Sequence, residues 1–132
     1  RADLRAARFS GASAQLAVFS SADLTAARLG NCTLNQALFN DATVEKADLS
    51  GSSLQRSQWT RARCQDAVFT SCELTYADFS YADIRGCDFS NASVYRARFH
   101  RSIEKLTVFS NRSLALGDDA AQAEADDWQP AF

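Results

Sequence analysis

Arginine and tyrosine alternate at a spacing of 20 residues from position 56 of this 132-residue sequence. Two such sets lie five positions apart: Arg56, Tyr76 and Arg96, and then Arg61, Tyr81 and Arg101. Both residue types are enriched among side chains that dominate protein interfaces, because they stack and hydrogen-bond at once. If a spacing of 20 brings them side by side, they form a basic and aromatic surface that binds another protein. The alternative is that they stack on one another and only stabilise the fold.

A possible catalytic set shares this spacing. Ser80 and His100 lie 20 residues apart, and Asp78 lies two residues before Ser80. These are the residue types of a hydrolytic triad. The same position is serine, asparagine or threonine at earlier multiples of 20, so we interpret the set as a surface ladder of polar side chains without a pocket or oxyanion donors. We therefore predict no catalytic residues and no enzymatic activity.

The residues that could bind a metal are few. The chain has one histidine and four cysteines, at positions 32, 64, 72 and 87, and no CxxC pair. Cys32 and Cys72 would stand two coils apart in a 20-residue repeat, which is beyond the reach of a disulfide. We predict four core thiols, no metal site and no cofactor.

A five-residue repeat must position all these side chains. Twenty consecutive units fill residues 2–101 without an insertion or deletion. The central residue of each unit is Leu, Phe, Val, Ile or Trp in 18 of 20 cases, and the residue two before it is alanine in 15 of 20. Five residues advance an α-helix by about 140°, which scatters the large side chains around the cylinder. On a straight strand an odd period sends successive centres to opposite faces. The pattern therefore requires a chain that turns a corner every five residues, which is a β-helix.

Four units per coil place residues 20 apart in columns. One column then reads Phe19, Phe39, Trp59, Phe79 and Phe99. The remaining central aromatic residues of the repeat, at 9, 69 and 89, share the opposite column. Large side chains thus face large side chains across a narrow core, and Phe39 is predicted to contact Trp59.

The units resemble the pentapeptide-repeat family, whose pattern A(D/N)LXX is visible as ADLRA at 2–6, ADLTA at 22–26 and ADLSG at 47–51. The resemblance implies an all-β solenoid, a right-handed quadrilateral β-helix of about five coils. It also implies a non-catalytic interaction or scaffold module within a larger bacterial protein, such as a secretion-system effector or accessory protein. The alternative function is a DNA mimic that binds DNA gyrase or topoisomerase, as the similar fluoroquinolone-resistance members do. Those rely on acidic surfaces, whereas residues 1–100 here carry 11 basic and 10 acidic residues.

The repeat decays after Arg101, where Glu104 occupies a central position and Arg112 a small one. We divide the chain into a β-helix at 1–101, a partial coil or cap at 102–116, and an acidic helix or tail at 117–132. The tail either docks over the open end of the core through Trp128 and Phe132 or is a flexible acidic peptide.

The formal charge of -2 and a pI near 5.3 create no global field for nucleic acid or membrane. We predict a protein partner, no direct contact with nucleic acid or membrane, and an oligomeric state that leaves an end-to-end or tail-mediated dimer open. The cysteine usage favours the cytoplasm, or delivery into a host or target cell.

Overall fold

A ladder of parallel backbone bridges connects residues that are 20 positions apart. The structure is a computed structural model, and it describes residues 1–128. Bridges recur at every fifth residue, beginning with Asp3 to Asp23 and Arg8 to Arg28. The longest pairing joins strand β1 (Asp88–Phe89) to strand β2 (Val108–Phe109) in parallel register. Four short walls therefore make one circuit, as the repeat predicts.

Each circuit turns at four corners where one residue has a positive φ. Such residues recur every five positions from Ala6 to Leu106, and 18 of them are not glycine. At every corner but one, the carbonyl of a central residue accepts a hydrogen bond from the N–H three residues later, as between Leu24 and Ala27 at 2.9 Å. At the remaining corner the Leu29 carbonyl accepts the Ser52 hydroxyl instead. None of the corner residues from 6 to 106 is Val, Ile or Thr. This composition follows from the left-handed conformation, which β-branched side chains adopt at the greatest steric cost.

Two interlocked groups of stacked aromatic rings lie in the core, together with smaller apolar side chains. On one wall Phe39 and Trp59 stack with ring centroids 4.0 Å apart and an interplanar angle of 4°, which confirms their predicted contact. On the opposite wall Phe69 and Phe89 stack at 4.8 Å. The walls meet edge to face, for example where Trp59 and Phe69 lie 5.2 Å apart at 81°. Stacked and edge-to-face ring contacts of this kind stabilise a core beyond the apolar area that they bury.

The small inward positions satisfy polar groups inside this core. All four cysteines are buried and free, which confirms the prediction of core thiols. The Cys72 thiol donates to the Leu49 carbonyl at 2.9 Å. Ser57 accepts a hydrogen bond from the indole N–H of Trp59 at 2.7 Å and donates to the Leu54 carbonyl at 2.6 Å. Ser57 thus replaces the alanine of most repeats because the indole N–H of Trp59, the single tryptophan of the core, needs an acceptor.

At the C-terminal end the last circuit is shorter. Arg98 bridges to Leu116, 18 residues later instead of 20, after a 3-10 helix at Arg112–Leu114. The Arg112 guanidinium lies 4.9 Å from the ring centroid of Phe99 and forms a forked pair with Glu104 at 2.9 and 3.1 Å. Glu104 and Arg112, which break the repeat, therefore pair with each other, and Arg112 lies over the rings of Phe99 and Phe109.

Helix α1 (Ala120–Asp127) follows, and it does not cover the open end of the core. Its polar side chains dock against one wall of the β-helix. Trp128 is 72% exposed, so the predicted docking through this residue is wrong. Docking through Phe132 was also predicted, and Phe132 lies outside the described residues. Arg112 already lies over Phe99 and Phe109 at the C-terminal end of the core, so helix α1 packs against a different surface.

Candidate functional site: a basic and aromatic surface

The first Arg/Tyr column forms an exposed corner of the β-helix. The Arg56 guanidinium lies 4.9 Å from the ring centroid of Tyr76. Tyr95 meets Tyr76 edge to face at 6.2 Å, and the two side chains are 49% and 44% exposed. Arg96 is also exposed at the next position of the column. We call Arg56, Tyr76, Tyr95 and Arg96 the outer corner. Arg56 and Tyr95 both contact the Tyr76 ring, and all four residues of the outer corner are exposed to solvent.

The second column is divided between two kinds of contact. Arg61 forms a forked ion pair with Asp41 at 3.0 and 3.3 Å, one coil towards the N-terminus. This contact lowers the pKa of Asp41. Tyr81 and Arg101 instead lie against helix α1. The six predicted residues therefore do not form one continuous free surface.

Arg101 is the main ionic contact of helix α1. Its guanidinium donates to both carboxylate oxygens of Asp127, at 2.8 and 2.7 Å, and its backbone N–H donates to Asp118 at 2.8 Å. The forked geometry is the strongest form of a carboxylate pair. It lowers the pKa of Asp127 and raises the pKa of Arg101.

His100 is fully buried beneath the same helix. Its Nδ1 accepts the backbone N–H of Asp119 at 3.0 Å, so this nitrogen carries no proton and Nε2 is the donor to Asp126, also at 3.0 Å. The Tyr81 hydroxyl donates to the same Asp126 carboxylate, and this raises the pKa of Tyr81. A hydrogen bond from His100 lowers the pKa of Asp126 most, and the hydrogen bond from Tyr81 lowers it further. One carboxylate thus joins two rings of the wall.

Helix α1 turns a polar face towards the β-helix, which is the opposite of an ordinary surface helix. Gln122 and Ala123 are its half-buried residues, and Gln122 accepts a hydrogen bond from Arg98 and donates to Tyr81. Ala121, Ala125 and Trp128 are exposed. An ordinary helix packs its apolar stripe inward, whereas this one turns polar groups to the protein. We call the surface beneath it, formed by Tyr81, Arg98, His100 and Arg101, the docking wall.

The possible catalytic set does not assemble. The Ser80 hydroxyl donates to Asp78 at 2.6 Å, while both ring nitrogens of His100 are bonded to the α1 segment. Ser80 and His100 are also buried, so the prediction of a surface ladder is wrong at these two positions. The segment that carries Asp119 and Asp126 covers His100. Within residues 1–128, His, Cys, Asp and Glu form no group of three that could hold a metal ion.

Sequence reasoning placed Tyr81 and Arg101 in one binding surface with Arg56, Arg61, Tyr76 and Arg96, and it missed that these two residues bind the acidic tail as part of the docking wall. The signal for the wall was electrostatic. Six of the chain's 16 acidic residues follow position 101, immediately after the basic run that contains Arg96, Arg98 and Arg101. No helix in the part of the chain that the structure describes is long and apolar enough to cross a membrane.

Solved structures that match this chain include pentapeptide repeat proteins. HetL from the cyanobacterium Nostoc sp. strain PCC 7120, a protein involved in heterocyst differentiation regulation, is 16% identical with a TM-score of 0.52, over 89% of this chain and 86% of HetL. Rfr23 from Cyanothece 51142 is 18% identical with a TM-score of 0.44, over 84% of this chain and 88% of Rfr23. Full-length QnrB1, a plasmid-mediated fluoroquinolone resistance protein, is 17% identical with a TM-score of 0.25, over 94% of this chain and 92% of QnrB1. At this identity the likeness to HetL supports the fold alone. No curated protein sequence matches the chain.

The family described as pentapeptide repeats matches residues 2–41, 17–56 and 56–91, with eight copies. These ranges together span residues 2–91, which is more than half of the chain. The match agrees with the bridges between residues 20 apart and with the corners at every fifth residue. Members of this family are right-handed quadrilateral β-helices, and this chain belongs to the pentapeptide repeat family.

Proposed function

We propose that this chain is a non-catalytic module that binds another protein through the outer corner. The observation that carries the proposal is the stacked and exposed pair of Arg56 and Tyr76, which Tyr95 extends by an edge contact. Tyrosine and arginine are the side chains most often responsible for interface affinity. Here they lie together on a surface that α1 leaves open.

The backbone beneath the outer corner supports tight binding. Arg56, Tyr76 and Arg96 each donate their N–H to the carbonyl of a neighbouring circuit, at 3.0, 3.1 and 2.8 Å. Their Cα positions are thereby held by the ladder and do not need to be ordered by a partner. Pre-organisation of this kind reduces the entropic cost of association. A partner that offers carboxylates or aromatic rings fits these side chains best.

The C-terminal segment completes the module in this proposal. Residues 102–116 close a rod of about five full coils, and the forked pair of Arg112 and Glu104 over Phe99 supports this assignment. A closed end protects the final rings, since terminal repeats of a solenoid require a polar outer face.

The DNA-mimic alternative receives less support. The near balance of 11 basic and 10 acidic residues in residues 1–100 does not reproduce the charge of a nucleic acid. Asp126 and Asp127 are moreover paired with His100 and Arg101 of the same chain. The absence of catalysis and the place in a bacterial secretion-system effector or accessory protein stay predictions.

A comparison of two double charge reversals tests the proposal. Arg56→Glu with Arg96→Glu changes the outer corner, while Arg8→Glu with Arg28→Glu is the matched control on the wall opposite the continuous aromatic stack. Arg8 and Arg28 are exposed and form no ion pair within residues 1–128. Proteins retained on immobilised chain from an extract of the source cells are quantified by mass spectrometry. We expect a protein that the wild type and the control retain equally and the corner variant loses. Equal retention by all three chains would dismiss the outer corner.

A further inference from the structure

The contact between α1 and the docking wall is built from polar groups. Asp126 receives hydrogen bonds from His100 and Tyr81, Asp127 receives a forked pair from Arg101, and Gln122 contacts both Arg98 and Tyr81. No residue of α1 is buried. The wall therefore recognises the acidic side chains of a helix and gains almost nothing from its apolar surface.

The docked helix has features of a displaceable segment. It has eight residues, which is too short for a helix that is stable alone in water. Asp126 and Asp127 stand at its C-terminal end, where the helix dipole disfavours negative charge. The Asp127 side chain is 65% exposed, so its pair with Arg101 is screened by solvent and salt. Docking thus depends on a few polar contacts, and its main ion pair is exposed to solvent.

The docking wall is also more specific than a simple basic patch. His100 is fully buried and offers Nε2–H to a carboxylate while its Nδ1 accepts a backbone N–H of the same segment. Tyr81 lies edge to face against the His100 ring at 5.4 Å and offers its hydroxyl to the same carboxylate. Arg101 stands beside them for a second carboxylate on the adjacent residue. The wall matches two consecutive acidic residues that lie one helical turn after a hydrogen-bonding side chain.

We infer that the docking wall is a binding site for an acidic helix of a partner protein, and that α1 is its intramolecular competitor. The inference rests on the proposed function, since it assumes that the chain binds a protein. Charge complementarity identifies the occupant, because the only segment seated on this wall within residues 1–128 carries Asp126 and Asp127 towards it. The partner's segment takes the same contacts after α1 has left, so docking of α1 lowers the apparent affinity for the partner.

Competition by a synthetic peptide tests this inference with the full chain. The probe is a fluorescein-labelled peptide with the sequence of residues 118–128, DDAAQAEADDW, and binding is measured by fluorescence polarisation at low salt. The opened variant carries Asp126→Asn and Asp127→Asn, which remove the charges of the resident helix. Glu124→Gln is the control, because the Glu124 side chain is exposed on α1 and makes no hydrogen bond or ion pair within residues 1–128. We expect the opened variant to bind the peptide about tenfold tighter than the wild type, and the control to bind like the wild type.

Two further measurements establish where the peptide binds. Addition of Arg101→Glu to the opened variant should abolish binding of the peptide. A second peptide, with asparagine at the positions of Asp126 and Asp127, should not bind the opened variant. Circular dichroism and thermal unfolding verify that each variant keeps the β-helix. Equal affinity of the opened variant and the wild type would overturn the inference, as would binding that persists with Arg101→Glu. The assay contains no partner and changes no residue of the outer corner, so its failure leaves the proposed function standing.

Discussion

Replacement of Ser57 by alanine should destabilise the β-helix far more than the loss of one hydroxyl suggests. Ser57 and Trp59 are both fully buried, and the indole N–H has Ser57 Oγ as its acceptor at 2.7 Å. Ser57→Ala leaves that N–H without a partner in a core that excludes water. It also removes the bond from Ser57 Oγ to the Leu54 carbonyl, although this carbonyl still accepts the Ser57 backbone N–H at 3.2 Å.

The magnitude follows from these two losses. A buried donor without an acceptor costs about 1–3 kcal/mol, and a typical hydrogen bond contributes about 1 kcal/mol, so we expect Ser57→Ala to lower the free energy of unfolding by about 2–3 kcal/mol. In a chain that already carries Trp59→Phe, the same change removes only the bond to Leu54 and should cost about 1 kcal/mol. The two substitutions are therefore coupled by about 1–2 kcal/mol. The double variant recreates the alanine and phenylalanine pairs of the neighbouring circuits, Ala37 with Phe39 and Ala77 with Phe79.

Urea unfolding of the four chains, followed by far-UV circular dichroism, measures this coupling. Circular dichroism is chosen because Trp59→Phe removes the core fluorophore. We expect Ser57→Ala to shift the midpoint strongly in the tryptophan chain and weakly in the phenylalanine chain. Additive effects, within about 0.5 kcal/mol, would refute the reasoning that serine is present to satisfy the indole.

Other predictions concern the corners, the tail and the thiols. At the exposed corner residue Gln36, whose φ is 61°, substitution by valine should destabilise the fold by about 1–2 kcal/mol while Gln36→Asn leaves the unfolding midpoint nearly unchanged, because asparagine tolerates the left-handed conformation. Since docking lowers the pKa of Asp126 and Asp127, the docked state binds fewer protons, so docking is favoured above about pH 4 and is lost as the pH falls through the lowered values; amide chemical shifts of α1 against pH measure this. Burial raises the pKa of Cys72 and Cys87 to about 12, so a thiol reagent at pH 8 should modify them only as fast as the chain unfolds, and rapid modification of the native protein would contradict their burial.

The repeat made the interior predictable because one rule applies to every circuit. A period of 20 fixes which side chains stack, and it correctly places Phe39 on Trp59 and Arg56 on Tyr76. The left-handed corners were also visible in principle, since Val, Ile and Thr are absent from positions 6, 11, 16 and so on to 106. The sequence reasoning counted residues at the central and small positions and did not use this absence.

The position of the tail was not predictable from the repeat. Its contacts join residues 17 to 45 positions apart, such as Tyr81 with Asp126, and none of them follows the period of 20. Docking through Trp128 over the open end of the core was one of two alternatives, and a flexible acidic peptide was the other. Arg112, paired with Glu104, instead covers the ring of Phe99. The sequence pattern showed these two residues only as departures from the repeat. Charge complementarity then decides where the acidic helix lies.

The outer corner as the protein-binding surface is tested most directly by site-specific photo-cross-linking. Benzoylphenylalanine is placed at Tyr95 in the outer corner and, in a second chain, at Arg28 on another wall, and both chains are irradiated in the source cells. Both positions are exposed, so both probes reach the solvent. We predict a discrete protein adduct from position 95 that is absent from position 28 and is lost when Arg56→Glu is added. Adducts of the same protein from both positions, or from position 28 alone, would contradict the proposed surface.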